Sequence, residues 1–122
     1  MTDLSTLKPQ DTTTIEILHP ATRIPIGVQF EVYNSDSKVA RAAQHKIKNR
    51  MIKKRTIYRT AEEVEQDNLD FVIACVKGWK NLSWDGKKLT FNKENMLMVF
   101  EELPWIFDQV NEAIGNIDNF LA

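Results

Sequence analysis

The chain has 122 residues and a mass of 14.1 kDa, with 43% hydrophobic and 27% charged side chains, which argues for one folded soluble domain and against a two-domain enzyme. Its longest apolar run, Phe71 to Val76, is far shorter than the roughly 18 residues of a membrane span. The opening Met1-Thr-Asp-Leu-Ser has no basic stretch of the signal-peptide kind, and the single cysteine, Cys75, can complete neither an intramolecular disulfide nor a cysteine-based zinc site. A cytoplasmic location is the expectation. The net charge of −1 hides an uneven distribution: residues 38–59 carry nine basic and no acidic side chains, whereas residues 60–122 carry five basic and twelve acidic ones.

Residues 1–12 show neither helical nor strand periodicity, so a flexible N-terminal arm is expected before a folded domain spanning 13–122. Thr14 to Leu18 and the alternating Ile26 to Val32 read as two strands of an antiparallel hairpin. Pro20 and Pro25 mark the loop between them, and Ile15, Ile17, Val28 and Phe30 form its expected buried face. Asn34-Ser-Asp-Ser supplies caps for a helix near residues 35–57, with Val39, Ala43, Ile47 and Met51 on one face and Ala40 and Tyr58 extending that stripe. The remaining surface is basic: Arg41, Lys46, Lys48, Arg50, Lys53, Lys54 and Arg55.

Thr60-Ala-Glu-Glu63 is a capping-box sequence and starts a second helix, expected over 60–79, whose inner arc holds Val64, Asn68, Leu69, Phe71, Cys75, Val76 and Trp79. Asp85-Gly86 suits a tight turn in a very short hairpin. Asn92 caps a third helix over 93–102. Pro104 opens a fourth over 104–114, with Ile106, Val110, Ala113 and Ile114 facing inward. Gly115-Asn116 ends that helix before a last turn with Phe120 and Leu121. The predicted fold is α+β and predominantly α-helical: an N-terminal antiparallel β-hairpin followed by about four helices in a single small domain.

Catalytic chemistry has little to start from. A nucleophile needs a base in reach and a group that orients the base, but His19 and His45 stand in no catalytic signature and read as surface histidines. Cys75 lies on the buried stripe and reads as an inert small hydrophobe. The glycines, at 27, 78, 86 and 115, are too scattered for a phosphate loop. Glu62-Glu63 and Glu101-Glu102 are adjacent, which turns each pair about 100° apart on a helix and away from a common substrate. No cofactor or metal is expected, and the protein reads as a non-enzyme.

The basic segment 38–59 is the feature with functional alternatives. It can serve a small DNA-binding regulator by charge alone, although no helix-turn-helix or zipper accompanies it. It can be a solvated helix face, or it can meet an acidic partner surface, including the acidic C-terminal half of a neighbouring copy. Trp79, Trp84 and Trp105 fit either core packing or interface anchoring.

Taken together, His19-Pro-Ala-Thr through Pro25-Ile-Gly-Val, the Arg/Lys-rich helix, Cys75-Val-Lys-Gly-Trp79, Asp85-Gly-Lys-Lys-Leu-Thr-Phe91, Glu94-Asn95, Pro104-Trp-Ile-Phe-Asp-Gln-Val-Asn-Glu-Ala-Ile114 and Asn119-Phe-Leu resemble the tail assembly chaperones of long-tailed bacteriophages. The resemblance runs over about residues 13–121; the hairpin loop departs from it, with Arg23-Ile24 where the family often has Gly and a polar residue. It implies a non-enzymatic factor made in the host bacterial cytoplasm by a phage or prophage. Such a factor binds the tape-measure protein, keeps it soluble, helps recruit tail tube protein and is absent from the mature virion. It also implies self-association and a longer form made by ribosomal frameshifting. A head-to-tail ring or spiral would use Arg41, Lys46, Lys48, Arg50, Lys53, Lys54 and Arg55 as the association surface, with Trp84, Trp105, Phe107 and Phe120 as candidate client contacts.

Overall fold

The computed structural model describes residues 3–54 and 60–121. Strand alternation near the N-terminus is satisfied by β1 (Thr12–Leu18) and β2 (Pro25–Tyr33), which pair antiparallel with Ile15 opposite Phe30. Ile17 and Phe30 are fully buried, and Ile15 and Val28 pack against the core from its margin. The pairing register breaks between Glu16 and Leu18. There the Gln109 amide substitutes for a strand neighbour: its Oε1 accepts from Leu18 N–H at 2.9 Å and its Nε2 donates to Leu18 C=O at 2.8 Å. Before β1 the chain forms a 3-10 turn at Leu4–Leu7, capped by Asp3, and Gln10 N–H donates to Phe120 C=O at 2.7 Å.

Helix α1 (Lys38–Lys54) begins after Ser37, whose hydroxyl accepts from Ala40 N–H. Its start is therefore three residues later than the sequence spacing predicts, and the expected continuation to 57, with Tyr58, lies outside the described residues. The inner stripe is Ala40, Ala43, Ile47 and Met51, while Val39 is turned outward. Four-residue steps drift on a 3.6-residue helix, so a stripe set by its interior can exclude its first member.

The second helix departs most from expectation. Helix α2 (Ala61–Cys75) is capped by Thr60, whose hydroxyl accepts from Glu63 N–H at 3.1 Å, but it ends at Cys75 and not at 79. Val76 is already extended, and β3 (Val76–Lys80) continues without a loop, pairing antiparallel with β2 in the sheet order β1-β2-β3. An unpaired β2 edge would leave backbone donors and acceptors without partners. Supplying them, and laying Trp79 on Phe30 at 5.6 Å between centroids, outweighs extending α2 by one turn. The expected inner arc names Val64, which is 52% exposed, and Asn68, also exposed, and leaves out Val72, which is fully buried.

The chain then forms a two-stranded hairpin, β4 (Ser83–Trp84) and β5 (Lys87–Lys88), around Asp85 (φ 51°) and Gly86 (φ 78°). Two positive φ angles in succession make this a type I′ geometry, for which Asp-Gly is suited. The Trp79 indole N–H donates to Leu89 C=O at 3.0 Å and its ring meets Phe91 edge-on, which fastens this hairpin to the sheet. Helix α3 (Lys93–Glu102) starts at the Asn92 cap, and α4 (Pro104–Gly115) follows after Leu103 with Ile106, Val110, Ala113 and Ile114 buried. A 3-10 turn at Ile117–Phe120 closes the chain against the core. The architecture is α+β and mostly helical, with the N-terminal hairpin in place. Among the described residues no helix is long and apolar enough to cross a membrane.

Candidate functional site

The basic segment divides into two flanks because α1 rests on α2. Arg50 faces α2, its Nη2 lying 3.3 Å from Asp67 Oδ1 and 3.0 Å from Asp70 Oδ2. Part of the basic block is thus neutralised within the chain, by the acidic segment that follows it. Residues near the start of one helix lie beside the end of the other, so the pair is antiparallel: Ala43 and Ile47 line a groove together with Ile73 and Ala74. On one flank of α1, Arg41, His45, Lys48 and Ile52 recur at helical spacing and are exposed, Ile52 to 72%. On the other flank Lys46, Arg50 and Lys53 border that groove, which measures about 590 Å³ and is also lined by Lys93 of α3. Arg55 lies outside the described residues, as does the side chain of Lys54.

A second groove, of about 660 Å³, opens between α2, α3 and α4. Leu69, Leu97, Phe100, Pro104 and Phe107 supply its apolar surface, with Glu65, Asn68 and Glu101 at its margins. Phe107 is half-buried and held edge-on against Phe100 at 5.4 Å. Of the other aromatic residues expected to meet a client, Trp84 is half-buried on the short hairpin, and Trp105 is half-buried and packed against the core. Phe120 is a correction: at 2% exposure it is a core residue, because the 3-10 turn points its ring inward, and it offers nothing to a partner. Sequence reasoning missed Leu97, Phe100 and Lys93 as site residues. The only signal for the apolar pair was a helix 93–102 too rich in hydrophobic side chains for a single buried stripe.

The candidate nucleophiles and bases sit apart. His19 Nδ1 accepts from Ala21 and Thr22 N–H at 3.1 and 3.2 Å, which makes it a loop cap. His45 is exposed on α1, and Cys75 is buried, its thiol pushed up to about 11 by desolvation. Among the described residues no group of three or more His, Cys, Asp or Glu side chains is placed to hold a metal ion. Compared with protein-family models, curated proteins and solved structures, the chain gives no match.

Proposed function

We propose that this chain is a non-enzymatic tail assembly chaperone of a long-tailed phage or prophage, acting in the host cytoplasm. It would hold the tape-measure protein in solution, promote tail tube assembly around it, and leave before the virion is complete. The reading starts from the motif resemblance over residues 13–121. The observation that carries it is the open apolar groove lined by Leu69, Leu97, Phe100 and Phe107. A small domain with a filled core has no internal need for such a groove, and an elongated, partly hydrophobic client would cover it. The exposed cations of α1 supply a surface for neighbouring copies or tube protein, and the acidic groove margins, Glu65 and Glu101, supply charge of the opposite sign.

Co-expression tests the client role. With the wild-type chain a tape-measure protein stays in the supernatant; with Phe107→Ser combined with Leu97→Ser it pellets. Equal solubility with both would remove this groove from the account. The second reading, a small DNA-binding regulator, draws on the flank Arg41, His45 and Lys48, which is exposed and continuous. It requires a duplex mobility shift at low salt that fades steeply as salt rises.

A further inference from the structure

The groove between α1 and α2 differs from the one beside Phe107 in charge. Its floor is apolar, formed by Ala43, Ile47, Ile73 and Ala74. Four cations from two separate elements stand round it: Lys46, Arg50 and Lys53 from α1, and Lys93 from the start of α3. Asp70 also lines it, but its carboxylate is engaged by Arg50 and by the Gln66 amide. Lys46, Lys53 and Lys93 have no carboxylate within ion-pair distance among the described residues. Lys93 is also locally unfavourable. It opens a helix, where the positive end of the dipole disfavours a cation, although Glu94 in the same turn offsets part of that cost. A residue that breaks a local rule, with only part of the cost offset within the chain, is expected where a partner supplies the rest.

We infer that this groove binds an acidic amphipathic helix of a protein partner, which packs as a third helix along the α1/α2 pair. The dimensions suit that occupant. From Ala43 to Lys53 the groove wall runs about 15 Å, which is roughly three helical turns. A helix with apolar residues at i, i+3 or i+4, and i+7 sets them on the alanine and isoleucine floor, with Glu or Asp on either side facing Lys46, Lys53 and Lys93. A nucleic-acid backbone fits less well, because a chain of phosphates has no apolar stripe to set on the floor of Ala43, Ile47, Ile73 and Ala74. The partner's carboxylates would complete the ion pairs that these lysines lack within the chain. This groove is separate from the one assigned to the client, so loss of either binding leaves the other standing.

Fluorescence anisotropy with two synthetic peptides tests the assignment. Both are about 15 residues long and built of leucine and glutamate in the same proportions. One has leucine in a helical stripe, and the other has the same residues scrambled. The striped peptide should bind the wild-type chain at least about tenfold more tightly than the scrambled one, a gap of about 1.4 kcal/mol. Lys46→Glu with Lys93→Glu should weaken it by about tenfold or more, whereas Arg41→Glu with Lys48→Glu, the same change in net charge on the opposite flank, should leave it within about threefold. Ala74→Glu, at an exposed position on the floor, should also weaken it. Equal binding of striped and scrambled peptides, or equal loss in the two double variants, would show general charge attraction and overturn the inference. Competition by a short single-stranded DNA as effective as the striped peptide would overturn it in favour of nucleic acid.

Discussion

Gln109 shows how one side chain can hold an edge. Both ends of its amide bond Leu18 where the β1 register breaks, so α4 closes the outer side of the sheet. Replacing it with leucine keeps the bulk but leaves a donor and an acceptor unpaired in a part-buried place, and we expect a loss of about 1–3 kcal/mol in urea unfolding. Cys75 gives a prediction with a pH sign. Its thiol titrates near 9.0 when exposed and about 11 when folded, so between those values the unfolded chain has released a proton that the native state still holds. The stabilising contribution is complete below pH 9 and is lost as pH rises towards 11. The urea midpoint should therefore fall further between pH 8 and 10 in the wild type than in Cys75→Ala; parallel falls would mean the thiol is not desolvated. Arg23 adopts φ 61°, the left-handed region that favours glycine. Pro20 and Pro25 place a loop there in the sequence, but they could not show the Gln109 clasp, because Leu18 and Gln109 are 91 residues apart.

Among the elements, those with a local signature were legible and those decided by a distant neighbour were not. Asn92 and Thr60 cap their helices as their positions suggested, Pro104 opens α4, and Asp85-Gly86 turns the short hairpin. Each acts within about four residues of itself, so sequence is enough. The strand β3 is different. Its residues continue a helical pattern, and only the unpaired edge of β2, more than forty residues earlier in the chain, makes them extended. Trp79 is the residue that gains most from this, with Phe30 on one side, Phe91 at 4.9 Å on the other and Leu89 C=O bonded to its indole. Trp79→Ala should cost about 3 kcal/mol or more in chemical unfolding. A loss under about 1 kcal/mol would mean that β3 and the short hairpin are held by other contacts.

At the scale of the whole molecule, the charge asymmetry visible in the sequence is partly spent inside the fold. Arg50 pairs with Asp67 and Asp70, and Lys77 reaches Glu31 at 3.5 Å across the sheet. What remains is distributed on separate surfaces: an exposed basic flank, a cationic groove with an apolar floor, and an apolar groove with acidic margins. Composition counted these charges correctly but could not divide them, since the division depends on which side of α1 rests on α2. Equally, the aromatic residues could not be sorted into core and surface until the last turn carried Phe120 inward and left Phe107 at a groove. Under the proposed function these surfaces would bind an elongated client and further copies of the chain at once. The measurement that tests this most directly is size-exclusion chromatography with light scattering on the soluble fraction from co-expression with a tape-measure protein, at low and high salt. A soluble complex with several copies of this chain per client, shedding copies as salt rises, is the predicted result. A pelleted client, with this chain monomeric in the supernatant at every salt concentration, would contradict it.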